Sequence, residues 1–209
     1  LNREAQDIRT HRELLRNQRM KKGTPVISLV GYTNAGKSTI LNYLSDAGVL
    51  AENKLFATLD TTTRKVELPG GSEIFLTDTV GFIQKLPHHL VQAFRATLEE
   101  LQYADILLHV VDASNPNREE HMKVVYETLK SLKCENTPVI TVFNKMDNDV
   151  ELPLPMDTVA RDIVQVSAWK GDGMEVLLER VEKLLQSFRR SMTALVPYTE
   201  GSLIGWVHG

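Results

Sequence analysis

The segment GYTNAGKST, residues 31–39, constrains the fold more than any other part of the chain. It follows the apolar run TPVISLV and contains the pattern G-x-x-x-x-G-K-[ST]. Such a loop between a strand and a helix directs backbone N–H groups toward a phosphate, and the helix N-terminus adds positive potential. The alternative, a glycine-containing turn that matches by chance, is less favoured because a strand pattern precedes the loop and a helix pattern follows it.

Each position of this phosphate loop has a predicted place in the site. Lys37 would contact the β- and γ-phosphates, and the Ser38 hydroxyl would ligate Mg²⁺. Glycine at positions 31 and 36 would let the chain approach the phosphates without a Cβ clash. The predicted nucleotide-binding residues of the loop are Gly31, Tyr32, Thr33, Asn34, Ala35, Gly36, Lys37, Ser38 and Thr39.

Strand patterns alternate with helix patterns along the rest of the chain. Short β-branched runs read VISLVG, EIFLTDT, DILLHVVDA, PVITVFN and DIVQV, and helical patterns cover 37–48, about 88–102, 117–133 and 173–189. In RKVELPGGSEIFL, two extended runs flank Pro69-Gly70-Gly71, which indicates a hairpin and one antiparallel edge strand. The pattern predicts a three-layer α/β domain with a mostly parallel sheet.

Two loops at strand ends have the composition of a base-reading site. In NKMD, the Asp147 carboxylate would accept both N1–H and N2–H₂ of guanine, a pair of donors that adenine lacks. Asn144 would tie this loop to the phosphate loop, and SAWKG could offer the Ala168 N–H to guanine O6. Taken alone, each of these short motifs could be an ordinary turn after a strand. The order and spacing of all the motifs together favour GTP over ATP. The predicted base-site residues are Asn144, Lys145, Met146, Asp147, Ser167, Ala168 and Trp169.

Two further segments are expected to respond to the γ-phosphate. In DTVGF, Asp78 could hold Mg²⁺ through a water while the Gly81 N–H meets the γ-phosphate; the alternative is a strand-end Asp with a turn glycine. The segment LFATLDTTTRK offers four threonines, and spacing does not choose which of them ligates Mg²⁺. The predicted residues of the two segments are Asp78, Thr79, Val80, Gly81, Phe56, Ala57, Thr58, Leu59 and Asp60.

Taken together, G-x-x-x-x-G-K-S, D-x-x-G, N-K-x-D and S-A resemble the translation-factor-related GTPases. GYTNAGKSTILN, FATLDTTTR, DTVGFIQKLPHHLVQAFRATLEE and NKMD are similar to the HflX family, relatives of Obg, over about 24–188. The resemblance implies that Thr58 is the Mg²⁺ ligand of its segment and that the partner is the ribosome, on its large subunit. Thr61 stands where the family usually has Pro, a change that touches no expected ligand.

The residue after D-x-x-G bears on hydrolysis. Many small GTPases have Gln there to orient the attacking water, but this chain has Phe82. We therefore expect Lys37 and Gly81 to carry the catalytic role and basal hydrolysis of GTP to be slow. Asn34 could ligate K⁺ beside the phosphates, since an Asn at this position accompanies potassium dependence in related GTPases; the alternative is an Asn that only shapes the loop. His109, in an apolar strand, is expected to be a hydrogen-bonded core residue.

Composition limits the class of protein. The chain has 209 residues, 42% of them hydrophobic, and a net charge of −3, which suits one domain with short appendages and gives no overall case for nucleic-acid binding. No apolar run approaches the roughly 18 residues that span a membrane. The single cysteine, Cys134, suits a reducing compartment, so we expect a soluble, cytoplasmic protein.

Three regions are expected. Residues 1–23 read as the end of a basic helical region, 24–189 as the GTP-binding domain, and 190–209 as the start of a truncated further domain. Two functions fit this organisation: a Mg²⁺-dependent GTPase that acts as a conformational switch, and a GTP-controlled ribosome- or RNA-binding module in which hydrolysis is incidental.

Overall fold

A computed structural model describes residues 23–45, 62–79, 81–82, 99–150 and 153–188, and it confirms the predicted α/β architecture. One sheet holds six strands in the order β2-β3-β1-β4-β5-β6. The strands are β1 Val26–Gly31, β2 Thr62–Glu67, β3 Glu73–Asp78, β4 Ile106–Asp112, β5 Val139–Asn144 and β6 Asp162–Gln165. The described helices are α1 Lys37–Leu44, α2 Arg118–Ser131 and α3 Met174–Phe188, with a 3₁₀ helix at Glu99–Tyr103.

All neighbouring strands are parallel except β2, which pairs antiparallel with β3 at one edge of the sheet. The predicted hairpin is therefore confirmed. Its turn is closed by Gly71 N–H donating to Leu68 O at 2.8 Å, with Gly71 at φ 80°, a conformation that suits glycine. The tip contacts α3, since the Gly70 N–H donates to Glu182 Oε2 at 3.1 Å.

The sheet is covered on both faces. Residues of α1 and α3 pack with Ile27, Leu108 and Val142 on one face, while residues of α2 and the 3₁₀ helix pack with Val30 and Leu107 on the other. Strands β4 and β5 are almost wholly buried, which explains their continuous apolar composition. Because β1, β3, β4 and β5 run in one direction, their carboxyl ends meet at one edge of the sheet.

Helix bounds differ slightly from the predictions. Helix α1 is described over Lys37–Leu44, and Ser45 caps it with both its N–H and its hydroxyl donating to Leu41 O; residues 46–48 of the predicted helix lie outside the described residues. Helix α2 ends at Ser131, and Lys133 then takes a left-handed conformation, φ 60°. Of the predicted helix at 88–102, the structure describes the last part, a 3₁₀ helix. No helix among the described residues is long and apolar enough to cross a membrane.

Candidate nucleotide-binding site

The phosphate loop joins β1 to α1 at the carboxyl edge of the sheet, as its pattern predicts. Gly36 caps α1 at φ 96°, and a Cβ there would lie 2.2 Å from Asn144 Nδ2, so glycine is needed for both conformation and space. Asn34 is also left-handed, at φ 62°. The loop therefore takes a backbone shape that most residues disfavour, which is typical of a loop built to enclose a ligand.

Lys37 lies buried within the loop. Its Nζ donates to Gly31 O at 3.2 Å and to Tyr32 O at 3.1 Å. Burial lowers the pKa of Lys37 to about 8, against the opposing effect of the Asp78 carboxylate. The ammonium is thus held at the centre of the loop, where a polyphosphate would add negative charge to that of Asp78.

Ser38 and Asp78 meet although 40 positions separate them in sequence. Ser38 Oγ donates to Asp78 Oδ2 at 2.6 Å. A hydroxyl oxygen beside a carboxylate oxygen is a donor set that fits Mg²⁺, which prefers hard oxygen ligands and keeps waters and substrate phosphates as the rest. The described residues contain no cluster of three or more His, Cys, Asp or Glu side chains, and a nucleotide-bound Mg²⁺ needs none.

The base-reading loop is connected to the phosphate loop through Asn144. Its Nδ2 donates to Ala35 O at 2.9 Å, and its Oδ1 accepts the Ala168 N–H at 3.0 Å. The first contact is the one expected from the sequence. The second means that the Ala168 N–H, expected to donate to guanine O6, donates here to Asn144 instead.

Asp147 is oriented by Ser167, whose Oγ donates to Asp147 Oδ1 at 2.6 Å. This hydrogen bond lowers the pKa of Asp147 below its usual range, so the group is a carboxylate at neutral pH. An ionised, oriented carboxylate is what the two donors of guanine require. Lys145 lies at φ 64° and its Nζ binds Asp112 Oδ2 at 2.7 Å, which holds its stem beside the loop.

The other base-site residues have more varied surroundings. Met146 is half-buried against a small cluster around Phe143. Trp169, by contrast, has 84% of its surface exposed although it directly follows Ala168. Its loop is held by Lys170 N–H donating to Ser167 Oγ at 3.2 Å and by Gly171 N–H donating to Ser167 O at 2.7 Å.

The segment after β3 contacts the phosphate loop directly. Phe82 N–H donates to Gly31 O at 3.0 Å, and Thr33 N–H donates to Phe82 O at 2.9 Å. A Cβ on Gly81 would lie 2.9 Å from Thr33 Cα and 3.0 Å from Lys37 Nζ. Gly81 thus lies beside the Lys37 amine, and its contact with the γ-phosphate stays a prediction.

The Phe82 side chain is in the core, 1% exposed, among Val30, Leu101 and Val125. The sequence showed that Phe82 is unable to bind water through its side chain, but not that the ring packs away from the site. Thr79 is likewise buried, with its hydroxyl donating to Leu29 O at 2.6 Å.

A family model described as "50S ribosome-binding GTPase" matches residues 26–145, more than half of the chain. The chain belongs to this family. It is also 51% identical over 201 residues to GTPase HflX of Lacrimispora saccharolytica, covering 96% of this chain and 48% of that protein. GTPase HflX of Escherichia coli is 40% identical over 199 residues, covering 94% of this chain and 47% of that protein. These matches confirm the predicted resemblance to HflX.

Among solved structures, a GTP-binding protein from Sulfolobus solfataricus in complex with GDP has 27% identity and a TM-score of 0.63, over 87% of this chain and 58% of that one. A variant of Era from Aquifex aeolicus, bound to GDP and AlF₄⁻, has 26% identity and a TM-score of 0.56, over 83% of this chain and 60% of that one. Both likenesses agree with the GTPase fold. The chain spans about half the length of the curated HflX relatives that it matches.

Several residues expected to bind nucleotide lie outside the described residues, and their assignments stay predictions. They are Phe56, Ala57, Thr58, Leu59, Asp60 and Val80. The same holds for the regions 1–22 and 189–209. The K⁺ role of Asn34 also stays a prediction, and the structure adds that this residue lines a small cavity.

Two features of this HflX-type site were missed in the sequence. The Tyr32 ring stacks on the His121 imidazole of α2, a contact with no sequence pattern because 89 positions separate the residues. His109 is buried as expected, but within the described part of the chain its Nδ1 has no hydrogen-bond partner, so the hydrogen-bonded interpretation is not confirmed for that atom. Instead its ring packs edge-on against Tyr126, with centroids 5.0 Å apart.

Proposed function

We propose that this chain is a Mg²⁺-dependent GTP-binding domain that hydrolyses GTP slowly and switches conformation with the nucleotide. The observation that carries this proposal is the Asn144 side chain, which links Ala35 of the phosphate loop to Ala168 of the base-reading loops. Through it, the site that selects guanine and the site that holds phosphates form one hydrogen-bonded unit. Such a unit supports recognition of a whole guanine nucleotide rather than of an isolated phosphate.

Each part of the chain has a defined task in this proposal. Asp147 accepts the two guanine donors, and the loop N–H groups with Lys37 bind the phosphates. Ser38 and Asp78 hold Mg²⁺, which, when bound, neutralises charge on the β- and γ-phosphates. The Gly81 N–H contacts the γ-phosphate, so the segment after β3 senses whether that phosphate is present.

Slow hydrolysis follows from Phe82. Transfer of the γ-phosphoryl group to water depends on positioning the water and stabilising charge, and Phe82 contributes neither because its ring is buried. A group supplied in trans is worth roughly 10³–10⁵ in rate in GTPases of this general class. We propose that the partner supplying it is the large ribosomal subunit, which would place the protein in the cytoplasm. The support is the description of the matching family.

Phe82 also supports a second candidate, a GTP-controlled ribosome- or RNA-binding module in which hydrolysis is incidental. In that case GTP binding alone would create the partner surface. The chain offers the same nucleotide contacts in both cases. The two candidates differ in whether the partner accelerates turnover.

Calorimetry with GDP, GTP, ADP and ATP, with and without EDTA, tests the binding proposal. We expect guanine nucleotides to bind at least about a hundredfold more tightly than adenine nucleotides, because adenine leaves Asp147 without its donors. Equal affinities for GDP and ADP would contradict it. Turnover measured with added 50S subunits then separates the candidates: acceleration supports the switch, and GTP-dependent binding without acceleration supports the module.

A further inference from the structure

Tyr32 of the phosphate loop and His121 of α2 form a flat stack. Their ring centroids are 3.7 Å apart and their planes differ by 2°. Tyr32 lies between Gly31 and Thr33, and its carbonyl oxygen accepts the Lys37 Nζ hydrogen bond at 3.1 Å. The stack therefore holds the loop at a residue whose backbone also orients the lysine that binds phosphate.

A cavity of about 40 Å³ lies beside this stack. Its lining includes Asn34 of the loop, His109 and Asp112 of β4, and His121. The volume is enough for one or a few waters. At this point the loop is separated from β4 by a cavity, and the Tyr32–His121 stack connects it to α2.

Partial burial of the stack favours a neutral imidazole. Burial lowers the pKa of His121, although Glu120 and Asp112 oppose the shift. His121 is thus uncharged at neutral pH and contributes surface contact rather than charge. Asp112 also binds Lys145 Nζ at 2.7 Å, so the rim of the cavity is continuous with the base-reading loop.

We propose that His121 is a positioning residue for nucleotide binding: by stacking on Tyr32 it holds the phosphate loop against α2 and slows nucleotide release. This inference rests on the proposed function. Release of a bound nucleotide breaks its contacts with the phosphate loop, so a contact that keeps the loop in its binding conformation is expected to slow release. In this proposal the His121 side chain acts through Tyr32.

The experiment measures the release of a fluorescent GDP from the 209-residue chain after addition of excess GDP. Replacing His121 by Ala or Gln removes the ring, and release should become about threefold to tenfold faster. His121→Phe keeps a flat ring and should restore release to within about twofold of the unchanged chain. In a chain that already carries Tyr32→Ala, adding His121→Ala should accelerate GDP release by less than about twofold, because the stack is already lost.

Lys123→Ala is the matched control, since Lys123 lies on the same helix with 75% of its side chain exposed and contacts Glu127 at 4.0 Å. It should leave release unchanged. Melting temperatures of all variants show whether folding is affected. If His121→Ala is unstable, the release rate of His121→Gln is used instead. The inference would be overturned if both His121→Ala and His121→Gln released GDP within twofold of the unchanged chain. It would also be overturned if His121→Phe accelerated release as much as these two variants do. If the unchanged chain binds no fluorescent GDP, the proposed function itself fails.

Discussion

The base-reading side of this site and the segment at Phe82, beside the expected γ-phosphate position, are held by different kinds of contact. On the base side, side chains bond to one another and to backbone across loops: Ser167 to Asp147, and Asn144 to both Ala35 and Ala168. On the γ-phosphate side, the Gly31–Phe82 and Thr33–Phe82 contacts are backbone hydrogen bonds, and the Phe82 ring points into the core.

The difference separates recognition from chemistry. Oriented polar side chains are preorganised for a ligand, so guanine recognition is expected to be complete within this chain. Backbone pairing beside a buried aromatic ring places the loop but offers no side chain to orient water. Changes on the base side should therefore alter affinity, and changes at Phe82 should alter stability more than rate.

The largest effect on the nucleotide is expected from Asp147→Asn. The amide is unable to accept both guanine donors, so GDP affinity should fall on the order of a hundredfold, while xanthosine diphosphate should bind relatively better. Calorimetry with both nucleotides measures this. Asp149→Asn, two positions further at an exposed site, is the control and should change neither affinity. Unchanged GDP affinity in Asp147→Asn would remove the assignment of the base site.

Ser38→Ala should have the next largest effect. It removes the hydroxyl that meets Asp78, so the affinity for GTP in the presence of Mg²⁺ should fall about tenfold or more and depend less on Mg²⁺. Titration of GTP at several Mg²⁺ concentrations checks this. Ser45→Ala removes a hydroxyl at the end of the same helix and should leave affinity unchanged. If Ser38→Ala lowered the melting temperature of the nucleotide-free protein and left GTP affinity unchanged, the role of Ser38 would be structural.

Ser167→Ala should have a smaller effect. Asp147 keeps its charge but loses the hydrogen bond that orients it, so GDP affinity should fall about threefold to tenfold. Combining it with Asp147→Asn should cost less than the sum of the two changes, because both act on one contact. Additive losses would show that Ser167 acts elsewhere in the loop.

Phe82→Ala should affect the nucleotide least and stability most. Removing this buried ring should lower the free energy of unfolding by about 3–5 kcal/mol. The basal rate of hydrolysis should change by less than about tenfold, since no catalytic hydrogen bond is lost. Denaturant unfolding and single-turnover hydrolysis measure the two effects, with Phe82→Leu as the milder variant. Loss of all turnover with folding and GTP binding intact would assign Phe82 a catalytic role.

The sequence predicted those features that depend on local pattern. The short apolar runs became parallel strands and the Pro69–Gly71 turn became the antiparallel hairpin. The phosphate loop and the Asn144–Asp147 loop lie at the same edge of the sheet, after β1 and β5, with β4 between these strands. These positions follow from strand direction and loop chemistry, which a sequence states explicitly.

Other features depend on packing between distant residues. The Tyr32–His121 stack, the inward direction of the Phe82 ring and the Ala168–Asn144 contact each need the positions of several elements at once. An aromatic residue in a loop can face solvent, ligand or core, and nothing in its neighbours along the chain selects among these. Sequence patterns therefore predicted which residues form the site better than they predicted the contacts among those residues.

The central claim is that guanine recognition is complete in this chain and the positioning of water is not. Its most direct test is the single-turnover rate of hydrolysis of bound GTP by the isolated chain in sodium buffer with Mg²⁺. The account predicts GTP bound tightly and hydrolysed slowly, at a rate that a partner could raise roughly 10³-fold or more. Rapid hydrolysis by the isolated chain, close to the roughly 5–20 s⁻¹ of assisted GTPases, would contradict it.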